Sequence, residues 1–296
     1  MEIRHLRTFK TVATLLSFNK AAEQLHYAQS SISAQIQALE DELNVRLFDR
    51  LGRGILLTEA GERLLPYAQK MLDLSEETLA DISETRNPAG ALTIRVPESM
   101  ATYRLPQVIK RFHRQFPKVK LVFTTCAHDG LQKDLRKGVT DLAFLLAEGI
   151  QAADLEAEVL GFEQIRTVVS PGHPLAATSP IRPKDLEGQT ILLSKVDCSY
   201  RRIFEHMLKE HHISGDNVLT FQSVEALKAC LMAGLGITIL PEVAISHEIA
   251  QGRIVPLPWD EGTFEVAILM IWYKERWISP TLQAFMDMVK DELPFS

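Results

Sequence analysis

The sequence predicts a multidomain α/β chain: a small helical unit closed by a two-stranded wing, one long helix, and a larger α/β region in two lobes. Three observations predict it. Ile32, Ile36, Leu39 and Leu43 recur at i, i+4, i+7 and i+11, the stripe of an amphipathic helix within residues 1–57. From Thr58 the chain can run as one helix to about Thr85, where Asn87-Pro88-Ala89-Gly90 stops it. Beyond residue 88, strand-like and helical runs alternate, the pattern of a mostly parallel sheet with covering helices.

Within residues 1–57, Ala21, Ala22 and Leu25 form the apolar face of a short helix, and His26, Tyr27 and Ala28 form a turn. The next helix spends its apolar stripe on the core, so Gln29, Ser30, Ser33, Ala34 and Gln37 face outward, beside Ser31 and Gln35. Small and amide side chains of this kind fit a DNA groove, where they reach base edges or phosphates without clashing. Arg50 and Arg53 flank Gly52 and Gly54 at the tip of a wing, and a basic tip suits a minor groove. Net charge over residues 1–57 is only +1, so placement rather than bulk charge carries the expectation of DNA binding. Winged helical units also bind protein, and that alternative stays open at this point.

In the long helix, spanning residues 58–87 with its terminator, Thr58 is the expected N-cap. About 28 residues at 1.5 Å each give about 42 Å of helix. Leu65, Ala68, Leu72, Ser75, Leu79 and Ile82 step by three and four, a seam suited to a second helix. The rival reading packs that stripe on the chain's own next domain.

Residues 88–296 follow as an α/β region. Strands are predicted at 92–96, 119–125, 141–146, 165–169, 190–193, 218–221, 237–240 and 264–273. Helices are predicted near 103–116, 131–137, 200–211, 224–233 and 280–293. Chain crossings near Gly161–Glu163 and Gly262–Glu265 divide this region into a first lobe (about 91–161 and 266–296) and a second (about 162–265). Ligands in open α/β sheets sit beyond the carboxyl ends of the strands, where helix N-termini converge. Ser99, Thr102, Ser199 and Ser223 are placed there, at or just before helix starts. Tyr200 and Arg201 offer an aromatic wall and a cationic fork, although Arg201 can equally pair with Glu205 at i+4. Glu98 favours a cation or an ammonium group.

The segments AAEQL, QSSIS, QIQALE, LFDR and LTEAG, in that order between Ala21 and Gly61, resemble the N-terminal domain of LysR-type transcriptional regulators. GVTDLAFLL (138–146) and LMAGLGITILPE (231–242) extend the resemblance more loosely along the chain. Ser30 stands where the family often has Pro, and Ala34 where Arg is common. The resemblance implies a winged helix-turn-helix, a linker helix that dimerises, and a periplasmic-binding-protein-like effector domain with a small molecule between its lobes. It implies effector contacts from Ser99, Met100, Thr102, Asp129, Cys198, Ser199 and Ser223. It also implies double-stranded operator DNA as a partner and a homodimer or homotetramer. Some relatives sense oxidants through a cysteine in the second lobe, which makes a thiol switch at Cys198 the alternative; a small pocket-lining residue is the simpler reading.

Bulk properties agree with a two-domain globular protein: 296 residues, 46% hydrophobic and 24% charged, with formal charge −6. Three widely spaced cysteines make no disulfide framework and fit a reducing compartment. The first twenty residues form a mixed-charge amphipathic helix without a cleavable apolar core, so a cytoplasmic protein with no membrane association is expected. No CxxC, HExxH, GxxxxGK[ST] or GxSxG motif occurs, so no enzyme is expected, and neither a metal nor a cofactor. His206 and His211 lie five apart, a spacing that does not stack two ligands on one helix face. A solute-binding α/β protein with an incidental helical domain is the remaining rival.

Overall fold

The computed structural model describes residues 1–51, 54–82, 88–125, 130–147, 149, 152–194, 199–213, 217–259 and 264–293. Three helices, α1 (Ile3–Leu15), α2 (Phe18–Leu25) and α3 (Gln29–Leu43), lead into a hairpin of β1 (Phe48–Leu51) and β2 (Gly54–Leu57). Leu6, Phe9 and Val12 of α1 share one core with Ala21 and Ala22 of α2 and with Ile32, Ile36 and Leu39 of α3. Phe48 closes that core from the hairpin, its ring 5.5 Å from Phe9 and 5.8 Å from Phe18.

The long helix is α4 (Glu59–Ile82); residues 83–87 of the expected span lie outside the described residues. Thr58 caps it as expected, its Oγ1 accepting the Gly61 N–H at 3.1 Å. The expected seam does not behave as one surface. Leu65, Ala68 and Leu72 are buried in the core of the N-terminal unit, whereas Leu79 and Ile82 are 66% and 78% exposed. The stripe therefore packs first on the chain's own α1 and comes free only in its last turns. A different face, carrying Tyr67, Met71, Leu74 and Thr78, stays exposed throughout, and Ile82 at the free end of the seam continues it. Ionic contacts lay α4 along the first lobe: Lys70 to Glu275 at 3.2 Å, and Glu62 to Lys137 and Lys133 at 3.4 and 3.5 Å.

The α/β region is one sheet in the order β4-β3-β5-β11-β6-β9-β7-β8, with β10 paired to β6. In the first lobe, β3 (Gly90–Val96) lies parallel to β4 (Val119–Thr125) and β5 (Leu142–Ala147). The second lobe mirrors this with β7 (Ile191–Ser194), β8 (Val218–Phe221) and β9 (Ile237–Pro241). Two long antiparallel strands, β6 (Leu155–Val169) and β11 (Phe264–Tyr273), join the lobes. Their register shifts between Ile268 and Leu269, opposite Gly161 and Val159, where β6 passes from one lobe to the other. The sequence reading had only the last five residues of β6, because its first ten alternate poorly. It also missed β10 (Val255–Leu257) and the short α10 (Ser246–Ala250).

Covering helices are α5 (Glu98–Tyr103), α6 (Pro106–Gln115), α7 (Leu131–Arg136), α8 (Ser199–Glu210), α9 (Val224–Met232) and α11 (Pro280–Glu292). The helix expected near 103–116 is α6, and α5 precedes it as a separate short helix that was not expected. Pro106 starts α6 because its fixed φ and missing N–H suit a first helical turn and not an interior one. On the first lobe α6 and α11 pack through Phe112 and Phe285, whose rings lie 5.1 Å apart edge to face. Gly236 ends the turn from α9 into β9 where a Cβ would stand 2.1 Å from the Thr190 carbonyl oxygen, so no larger residue fits. Among the described residues, no helix is long and apolar enough to cross a membrane.

Candidate DNA interface and effector cleft

Gln29, Ser30, Ala34 and Gln37 of α3 are exposed, and Ser31, Ser33 and Gln35 are half-buried. The Gln29 amide donates to Ser33 Oγ at 3.1 Å, so the first turn of α3 carries a linked polar pair at its surface. Ala28 is the N-cap and has no side chain with which to cap; the Ser31 N–H bonds back to the Ala28 carbonyl at 3.0 Å, and the Gln29 and Ser30 N–H groups at the helix start suit an incoming anion such as a phosphate. Tyr27, just before the helix, is 49% exposed; the sequence reading treated it only as part of a turn. Gln35 turns the other way from its neighbours. Its Oε1 accepts the buried Thr8 hydroxyl at 2.7 Å, which ties α3 to α1.

The wing is set against α3 by the buried carboxylate of Glu40, which accepts backbone N–H groups from the start of β1 and the Arg46 guanidinium. Arg50 lies on β1, paired across the hairpin with Ile55, and Leu51 pairs with Gly54. That register leaves the tip as a two-residue connection. Arg53, the other basic residue expected there, lies outside the described residues.

Of the seven candidate effector contacts, Asp129 and Cys198 lie outside the described residues, as does Cys126. Ser199 is the first residue of α8. Ser99 begins the second position of α5 and is 2% exposed, with its hydroxyl lacking a hydrogen-bond partner among the described residues. Met100 is a core residue beside Leu105 and Val108, not part of an open wall. Thr102 is exposed near the C-terminal end of α5; the expectation of a helix start there fails because α5 begins four residues earlier. Ser223 is the N-cap residue of α9, and its hydroxyl donates to Glu98 Oε1 at 3.1 Å. The structure thus brings Glu98 and Ser223 together across the lobes, and of the candidate contacts only Ser223 is part of that meeting.

The proposed wall and fork are otherwise engaged. Tyr200 is 3% exposed within the large core. Arg201 pairs with Glu205 at 2.8 Å and donates to the Ser194 carbonyl at 2.5 Å, the simpler of its two readings. A second tie between lobes forms at the other end of α5. The Arg104 guanidinium pairs with Glu163, a 2% exposed residue of β6, whose Oε1 also accepts the Val243 N–H at 3.1 Å. Lys228 of α9 is buried against Tyr103 and Glu248, 3.0 Å and 2.8 Å from its Nζ. Glu98 and Glu163 were missed as bridging groups. Acid next to a predicted strand end was the one available signal, and it does not by itself identify a partner far along the chain.

The comparisons with known proteins follow this division. Residues 3–62 match the bacterial regulatory helix-turn-helix protein, lysR family, and residues 85–294 match the LysR substrate binding domain. The uncharacterized HTH-type transcriptional regulator YwqM of Bacillus subtilis is 40% identical over 291 residues, which is 98% of this chain and 99% of that protein. The HTH-type transcriptional regulator GltR of the same organism is 33% identical, over 98% of this chain and 97% of its own. Among solved structures, a full-length OxyR variant from Pseudomonas aeruginosa superposes with a TM-score of 0.76 at 25% identity, covering 99% of this chain and 94% of that one.

Proposed function

The chain belongs to the LysR family of transcriptional regulators, and from that premise we propose how its own residues divide the work. Residues 1–57 bind operator DNA, with Gln29, Ser30, Ser33 and Ala34 at the base edges and Arg50 and Arg53 on the backbone or minor groove. Ser31 and Gln35 support that face, Gln35 through its bond to Thr8. The carrying observation is the first turn of α3: exposed, polar, and uncapped at an end that favours phosphate.

Residues 58–87 link and dimerise, through the exposed face of Tyr67, Met71, Leu74, Thr78 and Ile82. Tyr67, Met71, Leu74 and Ile82 of that face are large apolar side chains whose exposure favours a covering partner. Paired linkers would present two α3 helices to the half-sites of an imperfect palindrome, and pairs of dimers give a tetramer. Residues 88–296 form the clamp, its lobes bounded near Gly161 and residue 266, with a small molecule in the cleft near Ser99, Ser199 and Ser223. Its occupancy changes the lobe angle and with it the spacing of the DNA-binding units. A cytoplasmic location follows from that role.

Gel-shift against DNA from upstream of the chain's own gene and its neighbours tests the first part. Selective retardation of one fragment supports the reading; retardation of none, or of all equally, rejects it. A thermal-shift screen of small metabolites tests the second, since a ligand of the native state raises its stability by mass action.

A further inference from the structure

Between the N-terminal unit, α4 and the first lobe lies a cavity of about 690 Å³, the size of a small-molecule site. Gln69 and Asp73 of α4, with Asp141 and Arg276 of the first lobe, bring charge and hydrogen-bonding groups to its wall. Leu79, exposed on α4, and Trp277 supply an apolar part. Gln69 is 6% exposed, and its amide is held in one place. Its Nε2 donates to Asp73 Oδ1 at 2.5 Å, and Gly138 leaves room for it, where a Cβ would stand 2.5 Å from Gln69 Oε1. Arg276 pairs with Asp141, whose Oδ2 accepts the Thr93 N–H at 2.5 Å. After these bonds two buried atoms still lack a hydrogen-bond partner among the described residues. One is an acceptor from α4, Gln69 Oε1, and the other a donor from the first lobe, Arg276 Nη1. Burial pushes the Asp73 carboxyl above its ordinary 3.8, against the pull of Arg276, Gln69 and Lys10.

We propose that this junction cavity binds a free amino acid with an apolar side chain, its carboxylate on Arg276 and its ammonium at Gln69 and Asp73. A buried polar group without a partner is costly, so a ligand that satisfies it gains the difference. A simple acid would meet Arg276 but set its charge near the Asp73 carboxylate and leave Gln69 Oε1 unmet. A simple amine would do the reverse. A zwitterion meets both, and its ammonium beside Asp73 offsets the burial of that charge. The side chain then lies along Leu79 and Trp277. The site is separate from the place where Glu98 and Ser223 meet across the lobes. Only its consequence rests on the reading of residues 1–57 as the operator-binding unit. A ligand held by α4 and the first lobe together fixes how the N-terminal unit sits on that lobe, and so favours one placement of α3 on DNA.

The test titrates the full chain with L-leucine, L-methionine and L-phenylalanine by calorimetry. At least one of them is expected to bind. Its N-acetyl derivative, which lacks the ammonium, and its amide, which lacks the carboxylate, should bind roughly tenfold or more weakly. Gln69→Leu and Arg276→Lys should weaken binding similarly, the lysine keeping a charge beside Asp141 but not the second N–H of the fork. Ser223→Ala, at the meeting of the lobes, should leave the affinity unchanged. No binding by any of the three, or derivatives that bind as well as the amino acids, overturns the proposal. So does an affinity moved by Ser223→Ala and not by the two junction variants. Arg276→Lys keeps the buried pair and the test readable should Gln69→Leu fold poorly. Gel-shift on the same preparations separates the two levels. Retardation that ignores a bound amino acid sinks the coupling to DNA, and absent DNA binding sinks the operator reading alone.

Discussion

The Glu40 carboxylate accepts the Leu47 N–H at 2.7 Å, so a buried charge on α3 holds the residue that leads into β1. The same oxygen lies 3.3 Å from the Phe48 nitrogen, and Arg46 approaches the other oxygen at 3.2 Å. Glu40 is 6% exposed, so removing it strands two N–H groups away from water. Glu40→Ala is expected to cost about 2–3 kcal/mol in urea unfolding, and Glu40→Gln, which keeps one acceptor oxygen, about 1 kcal/mol. Equal losses for the two would mean that packing rather than the hydrogen bonds fixes the wing.

Gly61 lies one turn into α4, where a Cβ would stand 2.3 Å from the Leu47 carbonyl oxygen and 2.8 Å from Leu57 Cδ2. Alanine in a helix interior is ordinarily preferred over glycine by about 1 kcal/mol. Here the clash wins, because the Leu47 carbonyl is already fixed by the Thr58 N–H at 3.0 Å and cannot move aside freely. Gly61→Ala is expected to lower stability by about 1–3 kcal/mol, the range of overpacked cores. A stabilised variant in thermal unfolding would contradict this.

On the proposed pairing of α4, two of its neighbouring leucines separate folding from assembly. Leu72 is 5% exposed within the N-terminal core and Leu74 is 62% exposed on the opposite face. Leu74→Glu is expected to leave the fold intact and raise the dimer dissociation constant by a factor of about 10² to 10⁴, since a buried leucine is worth about 1.5–3 kcal/mol per subunit. Leu72→Glu should instead unfold the N-terminal unit. Sedimentation equilibrium and circular dichroism read the two effects apart; an unchanged dimer for Leu74→Glu would remove that face from the interface.

Lys228 and Glu248 give a pH signature. Burial alone would push the Lys228 ammonium down, but its bonds to Glu248, Tyr103 and Glu225 outweigh that and hold it up at about 12. Burial pushes Glu248 up as well, and its pairing with Lys228 wins, leaving it below its ordinary 4.5. A lysine raised on folding contributes fully below its ordinary 10.5 and loses that contribution as the pH passes 12. A glutamate lowered on folding contributes fully above 4.5 and loses it as the pH falls below. The pair therefore stabilises the fold on a plateau between those limits. Lys228→Met strands the Glu248 charge, costs about 3 kcal/mol at neutral pH and recovers part of it on acidification to about pH 5. An acid limb that falls for the variant as it does for the parent chain would contradict the pairing.

The elements with a strong local period were readable in the sequence. The stripe through Ile32, Ile36 and Leu39 placed α3, and β4, β8 and β11 fall at the bounds expected for them. What escaped was set by partners distant in the chain. Half of the α4 seam is buried because α1 folds back against it, which no periodicity on α4 records. β6 continues across both lobes because β11 runs beside it, although Glu156, Glu158 and Glu163 break its hydrophobic pattern. Glu98 read as a group that favours a cation; in the fold its charge is spent on the α9 N-terminus. At the candidate sites, the exposed face of α3 was legible from residue type and spacing. The contact between Glu98 and Ser223 was legible only as two strand ends, since the sheet brings those residues together.

Binding of Gln29→Ala to the cognate operator fragment and to random DNA, each followed across a salt series, tests the central claim most directly. A side chain that reads a base edge is worth about 1–3 kcal/mol of discrimination, so operator affinity should fall roughly tenfold or more while random DNA and both salt slopes stay nearly unchanged. Arg50→Ala gives the opposite control, weakening both DNAs and flattening both slopes by about one. Equal weakening of operator and random DNA by Gln29→Ala would contradict the account, because the first turn of α3 would then hold phosphates and read no sequence.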